Sequence, residues 1–130
     1  MGDLVELGTR KFPFSTALWM GETCYVSGHL GIDLATGSGP DDPEAEVRLM
    51  MENFRGTIEG ARLGMDDLVS VEVFCTDLTL FAVFNRVYLE YLSEPYPARA
   101  FLGVSDLLFG RRFEVLGTAV KGAALGKRRG

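Results

Sequence analysis

Phe113-Glu114-Val115-Leu116-Gly117-Thr118-Ala119-Val120 is the stretch that decides the fold class of this chain. It is apolar at every position except Glu114 and Thr118, and it lacks the strict apolar–polar alternation of a strand with one wet face. Such a strand is covered on both sides. Helices supply one cover, and the sequence upstream contains two. The remaining residues hold no third layer, so the second sheet face calls for self-association into a closed symmetric oligomer.

Working outward, the strand over 112–121 follows a loop containing Gly110, and the run 98–104 before that loop reads as another strand. Upstream of both, Phe81, Phe84, Tyr88 and Tyr91 recur at helical spacing, predicting a helix capped by Thr79 and stopped by Pro95. Val69-Ser70-Val71-Glu72-Val73-Phe74-Cys75 alternates with period two and predicts a strand. Val47, Met50, Met51, Phe54, Ile58 and Ala61 form the apolar stripe of a long helix that starts with Asp42 as cap and Pro43 at the first position and stops at Gly64. The segment 16–30 reads as a hairpin, with Ala17-Leu18-Trp19-Met20, a Gly21-Glu22 turn and a second strand closing at Ser27-Gly28-His29. Hairpin, helix, strand, helix and two strands make an α+β domain, a mixed β-sheet with two helices packed on one face, spanning residues 1–130 as a single unit.

Composition narrows the function classes. At 130 residues folding buries roughly two-thirds of the surface of the unfolded chain, enough for a true core. Net charge is −5, and the only cluster of basic residues is Lys127-Arg128-Arg129, in a tail over 122–130 that reads as a solvated end. That balance argues against a nucleic-acid partner, whose phosphates call for a basic stripe. No apolar run reaches the length of a membrane span, and the start Met1-Gly2-Asp3-Leu4-Val5-Glu6 has neither a secretory pattern nor the Ser or Thr of an acylation site. A cytoplasmic location is the default expectation. Cys24 and Cys75 stand alone in apolar segments without metal-ligand spacing, which predicts reduced, buried thiols and no metal site.

Two charges interrupt the last two apolar runs. Arg99 opens Ala98-Arg99-Ala100-Phe101-Leu102, and Glu114 lies fifteen positions further on. Taken alone, the two residues fit either a structural ion pair, one that bridges subunits included, or a ligand site in which the arginine holds an external carboxylate.

The chain resembles the Rid (YjgF) family of reactive-intermediate imine and enamine deaminases over residues 12–121. The resemblance is carried by Pro13-Phe14-Ser15, Tyr25-Val26-Ser27-Gly28, Glu52-Asn53, Val73-Phe74-Cys75-Thr76-Asp77-Leu78, Phe81-Ala82-Val83-Phe84-Asn85, Pro97-Ala98-Arg99-Ala100 and Phe113-Glu114-Val115. It implies a chorismate-mutase-like fold, a homotrimer and clefts between subunits that take small 2-imino and 2-oxo acids, without a cofactor. It further implies Arg99 as the carboxylate grip and Glu114 as the group that orients or deprotonates the attacking water. Ser27 and Asn85 become cleft-lining hydrogen-bond residues, joined by the backbone around Phe101.

Departures from the family pattern make the expected cleft more apolar. Phe14 replaces a common tyrosine, His29 a glutamine, Phe101 a cysteine or small residue, and Leu116 a glutamate. His29, the sole histidine, reads as a packed residue or as an added proton donor at the cleft. Three functions follow for testing: hydrolytic deamination of 2-imino acids such as 2-aminoacrylate tautomers, non-catalytic binding of small carboxylates by a regulatory trimer, and the ribonuclease activity attributed to some relatives. Absence of a His pair or Ser/Lys cluster weighs against the last.

Overall fold

The computed structural model describes residues 5–7 and 10–130. The first four residues, on which the reading of the chain's start largely rests, lie outside the described residues. Strands β1 (Val5–Leu7) and β2 (Arg10–Phe12) pair with each other antiparallel. The main sheet contains β3 (Ala17–Met20), β4 (Thr23–Leu30), β5 (Leu68–Cys75), β6 (Ala98–Gly103) and β7 (Phe113–Val120), in the order β3-β4-β7-β5-β6. Only β5 and β6 run parallel, so the sheet is mixed, as the sequence predicts.

Helices α1 (Pro43–Gly60) and α2 (Phe81–Tyr88) supply the cover of one face. Asp42 caps α1 by accepting a 3.0 Å bond from the Ala45 amide, with Pro43 at the first position and Glu44 and Glu46 complementing the helix dipole. Val47, Met50, Met51, Phe54 and Ile58 are fully buried against Val71, Val73, Val115 and Ala119. A Phe54→Ala change at such a site costs about 3–5 kcal/mol.

Both helices stop earlier than their sequence signals. In α1 it is Arg62, at φ 66°, that takes the left-handed turn, two residues before Gly64. Asp77, not Thr79, caps the second helical segment: its carboxylate accepts from the Thr79 amide at 3.0 Å and from the Thr79 hydroxyl at 2.6 Å. A 3₁₀ turn (Leu78–Leu80) precedes α2, and the helix ends at Tyr88, well before Pro95. At the chain end, a short α3 (Ala123–Gly126) forms where a frayed tail was expected, with the Ala124 amide donating to Asp67.

The second sheet face lies open in the single chain. Cross-strand pairing puts Leu18, Tyr25, Thr118, Leu116, Glu72, Phe74 and Leu102 on it. Leu18 is 60% exposed, Met20 74% and Tyr25 52%, a density of bare apolar side chains that an isolated soluble domain seldom presents. Cys24 and Cys75 are free, buried thiols whose pKa values burial pushes up, in keeping with their expected role as small hydrophobes. Among the described residues, no helix is long and apolar enough to cross a membrane.

Candidate active site in two halves

Glu114 stands on the open face of β7, paired with Leu30 of β4 and Phe74 of β5. Its placement begins one turn of chain earlier. The buried carboxylate of Glu46 on α1 accepts from the Arg112 amide at 2.7 Å, the Phe113 amide at 3.0 Å and the Arg112 Nε at 2.7 Å. Arg111 and Arg112 both donate to the Pro40 carbonyl, so the loop before α1 is tied to the same point. Gly31 passes directly over this anchor, where a Cβ would fall 2.7 Å from Glu46 Cγ.

The neighbouring β4 strand carries a bulge between Val26 and His29, with Ser27 and Gly28 standing opposite Leu116 alone on β7. The extra residue changes the phase of the strand, so His29 faces α1 instead of the open side. There its Nδ1 lies 2.6 Å from the Ser27 carbonyl and its Nε2 2.7 Å from Thr57 Oγ1. A carbonyl can only accept, so Nδ1 carries the proton, and Nε2 accepts from the Thr57 hydroxyl. Burial lowers the His29 pKa, with the Ser27 carbonyl opposing it. The packed reading of His29 fits these bonds. Within the bulge, Gly28 has no side chain to separate it from Glu114: a Cβ there would sit on the carboxylate, 2.9 Å from Cδ. Ser27 Oγ donates to the Ser15 carbonyl at 2.5 Å and so holds the segment bearing Phe14 against the strand.

These residues border a hollow of about 170 Å³ lined by Phe12, Phe14, Gly28, His29, Leu34, Phe109, Glu114 and their neighbours. Glu114 is half-buried there, and desolvation raises its carboxyl pKa.

Arg99 is placed elsewhere. On β6 it pairs with Val71 and therefore points to the helix face. Its guanidinium carbon lies 4.9 Å from the Tyr88 ring centre and 5.6–5.7 Å from those of Phe81, Phe84 and Phe101. Aromatic faces hold the cation without consuming its hydrogen-bond donors. A second hollow opens beside it, lined by Asn85, Tyr88, Leu89, Tyr96, Pro97 and Arg99. The Tyr88 hydroxyl is buried and has no hydrogen-bond partner, and burial pushes its pKa up to about 12.

One chain thus divides the predicted residues into two groups. Glu114, Gly28, Ser27, Phe14 and His29 gather at the β4–β7 end, whereas Arg99, Asn85 and Phe101 gather under α2. An ion pair between Arg99 and Glu114 within the chain is ruled out, because the side chains leave opposite faces of the sheet. Sequence reading missed Glu46, Gly28 and Tyr88. Only Tyr88 carries a signal, its i+3 spacing from Asn85; the other two act through pairings remote in sequence.

The model of the endoribonuclease L-PSP family matches residues 9–121. The chain belongs to the Rid family. Among Rid relatives, a 2-iminobutanoate/2-iminopropanoate deaminase of Dermatophagoides farinae is 32% identical over 106 residues, 79% of this chain and 81% of the relative. The crystal structure of RidA from an Antarctic Psychrobacter superposes with a TM-score of 0.78 at 35% identity, covering 91% of this chain and 93% of that one. Escherichia coli TdcF with bound serine gives a TM-score of 0.80 at 28% identity, covering 92% and 98%. The fold of this Rid chain is therefore the α+β fold of the family.

Proposed function

We propose that this protein is a hydrolytic deaminase of 2-imino and enamine acids, working as a homotrimer whose sites are each completed by two subunits. The observation that carries this reading is the pairing of two incomplete halves. Among the described residues, one holds a guanidinium with no carboxylate partner and the other a desolvated carboxylate with no cation beside it. The bare apolar sheet face gives a second copy its place to dock. The deaminases among the relatives support the same reaction class.

In the proposed reaction Arg99 grips the substrate carboxylate bidentately, with Asn85 and the Tyr88 hydroxyl beside it. Glu114 takes a proton from water as the oxygen bonds to the iminium carbon, giving a carbinolamine. The same carboxyl returns the proton to nitrogen. The C–N bond then breaks, the hydroxyl proton leaves with ammonia as ammonium, and a 2-oxo acid remains. A carboxyl pKa raised toward the working pH suits both transfers, and such help is worth about 10²–10⁴-fold.

The test is to generate imino acids with amino-acid oxidases in the presence of semicarbazide as a competing trap. The protein should lower semicarbazone formation, and Arg99→Ala should abolish the effect; equal trapping with and without the protein would overturn the proposal. A non-catalytic carboxylate binder is the second reading, favoured by Phe14 and Phe101 standing where polar groups are common in the family. Titration with 2-oxobutyrate showing binding without turnover of any imine would establish it. For ribonuclease action the acidic balance is unfavourable, and no residue cluster in either hollow suits phosphodiester cleavage.

A further inference from the structure

We propose that the hollow beside Glu114 receives the substrate's side chain and selects a bulky apolar one, aromatic or branched aliphatic. This rests on the deaminase reading above and concerns which imino acid that site prefers.

The walls are the first observation. Phe12, Phe14, Ile32, Leu34, Leu108 and Phe109 converge on the hollow. Three of them, Phe14, Leu34 and Leu108, are largely exposed in the chain, so a ligand group entering here gains their burial. The second observation is that most polar side-chain groups of the lining are already engaged. His29 is bonded through both ring nitrogens, to the Ser27 carbonyl and to Thr57. Asn53 donates both hydrogens of its Nδ2 to the Leu30 and Ile32 carbonyls, at 3.0 and 2.9 Å. Glu114 is reserved for water. A substrate side chain bearing an amide, hydroxyl or charge would lose its hydration here and find few partners.

Size is the third observation. The hollow measures about 170 Å³, and an apolar cavity of about 150 Å³ accepts a benzene ring. A methyl group would leave most of it unfilled. Because Gly28 lacks a side chain, the Glu114 carboxylate can lie flat against the strand and leave that volume clear.

The test compares kcat/KM for imino acids generated from phenylalanine, leucine, alanine and glutamine. The phenylalanine- and leucine-derived imines should exceed the alanine-derived one by about tenfold or more, since one well-packed methylene alone is worth about 10–200-fold. Leu34→Asp, a change at an exposed loop position, should shrink the ratio of phenylalanine- to alanine-derived turnover about tenfold. A flat panel, or an unchanged ratio in Leu34→Asp, would overturn the side-chain assignment while leaving the deaminase reading intact. Calorimetric titration with phenylpyruvate and pyruvate supplies a readout independent of turnover. Tighter phenylpyruvate binding, weakened by Leu34→Asp, supports the assignment even if no imine is hydrolysed; equal binding overturns it.

Discussion

Arg99 and Glu114 leave opposite faces of one sheet, with β5 between the strands that carry them. If each site takes its arginine from one subunit and its glutamate from the next, two inactive variants can repair each other. Co-expressed Arg99→Ala and Glu114→Gln chains should regain activity up to about a quarter of wild type, the fraction of interfaces that unite two intact halves in a random cyclic assembly. Each variant alone should stay inactive. No recovery in purified mixed oligomers would contradict a shared site.

Glu114→Gln should lower kcat by about 10²–10⁴-fold. In the parent protein the acid limb of the kcat/KM profile should fall at a pH above the ordinary carboxyl value of 4.5, because desolvation raises this group's pKa. Stability carries the opposite sign. With its folded pKa raised, the native state holds the proton longer than the unfolded chain, so stability declines as pH rises between the two values. Glu114→Gln should therefore melt higher than wild type at neutral pH, and the gain should vanish below the ordinary carboxyl pKa.

Gly28→Ala tests the approach of the carboxylate to the bulge. The clash falls on the end of a flexible side chain, and the backbone at Gly28 is not left-handed, so the melting temperature should change little. Displacement of the carboxylate by about 1 Å should still cost of the order of 10²-fold in kcat. A fully active Gly28→Ala protein would show that the Glu114 position is not critical.

Glu46→Ala removes the partner of Arg112 and of two amides at the start of β7. Chemical denaturation should register a loss of about 3–5 kcal/mol, the scale for leaving one member of a buried pair unmatched. Activity should fall as well, because Glu114 lies one residue beyond the anchor.

Leu18→Asp places a charge on the open face, on β3 directly across from Tyr25 of β4. Sedimentation should show monomers, with turnover lost and the helix-facing core intact. A trimer that persists in this variant would mean that self-association uses another surface.

Much of the fold is legible locally. The stripe from Val47 to Ile58, the alternation from Val69 to Cys75 and the hairpin around Gly21-Glu22 each declare their own periodicity, and each forms. Helix ends are less legible: Asp77 displaces Thr79 as cap because its carboxylate reaches both the amide and the hydroxyl of Thr79, and Arg62 turns the chain before Gly64 is reached. The sequence likewise singles out Arg99, Asn85 and Phe101 together with Glu114, Ser27, Phe14 and His29 without revealing that they fall into two groups.

The sequence by itself determined the order of the main-sheet strands and the two long helices, though not the β1–β2 pair or α3, and it determined the buried thiols and the presence of one cation and one carboxylate in apolar strands. Tertiary structure alone decided that the two charges never meet within a chain, that the bulge before His29 turns its ring toward α1, and that Glu46 pins the strand bearing Glu114. Periodicity is a property of neighbours along the chain, and it fixes which residues share a face of their own element. The face two distant strands present to each other depends on register, and one bulge residue shifts that register by half a period.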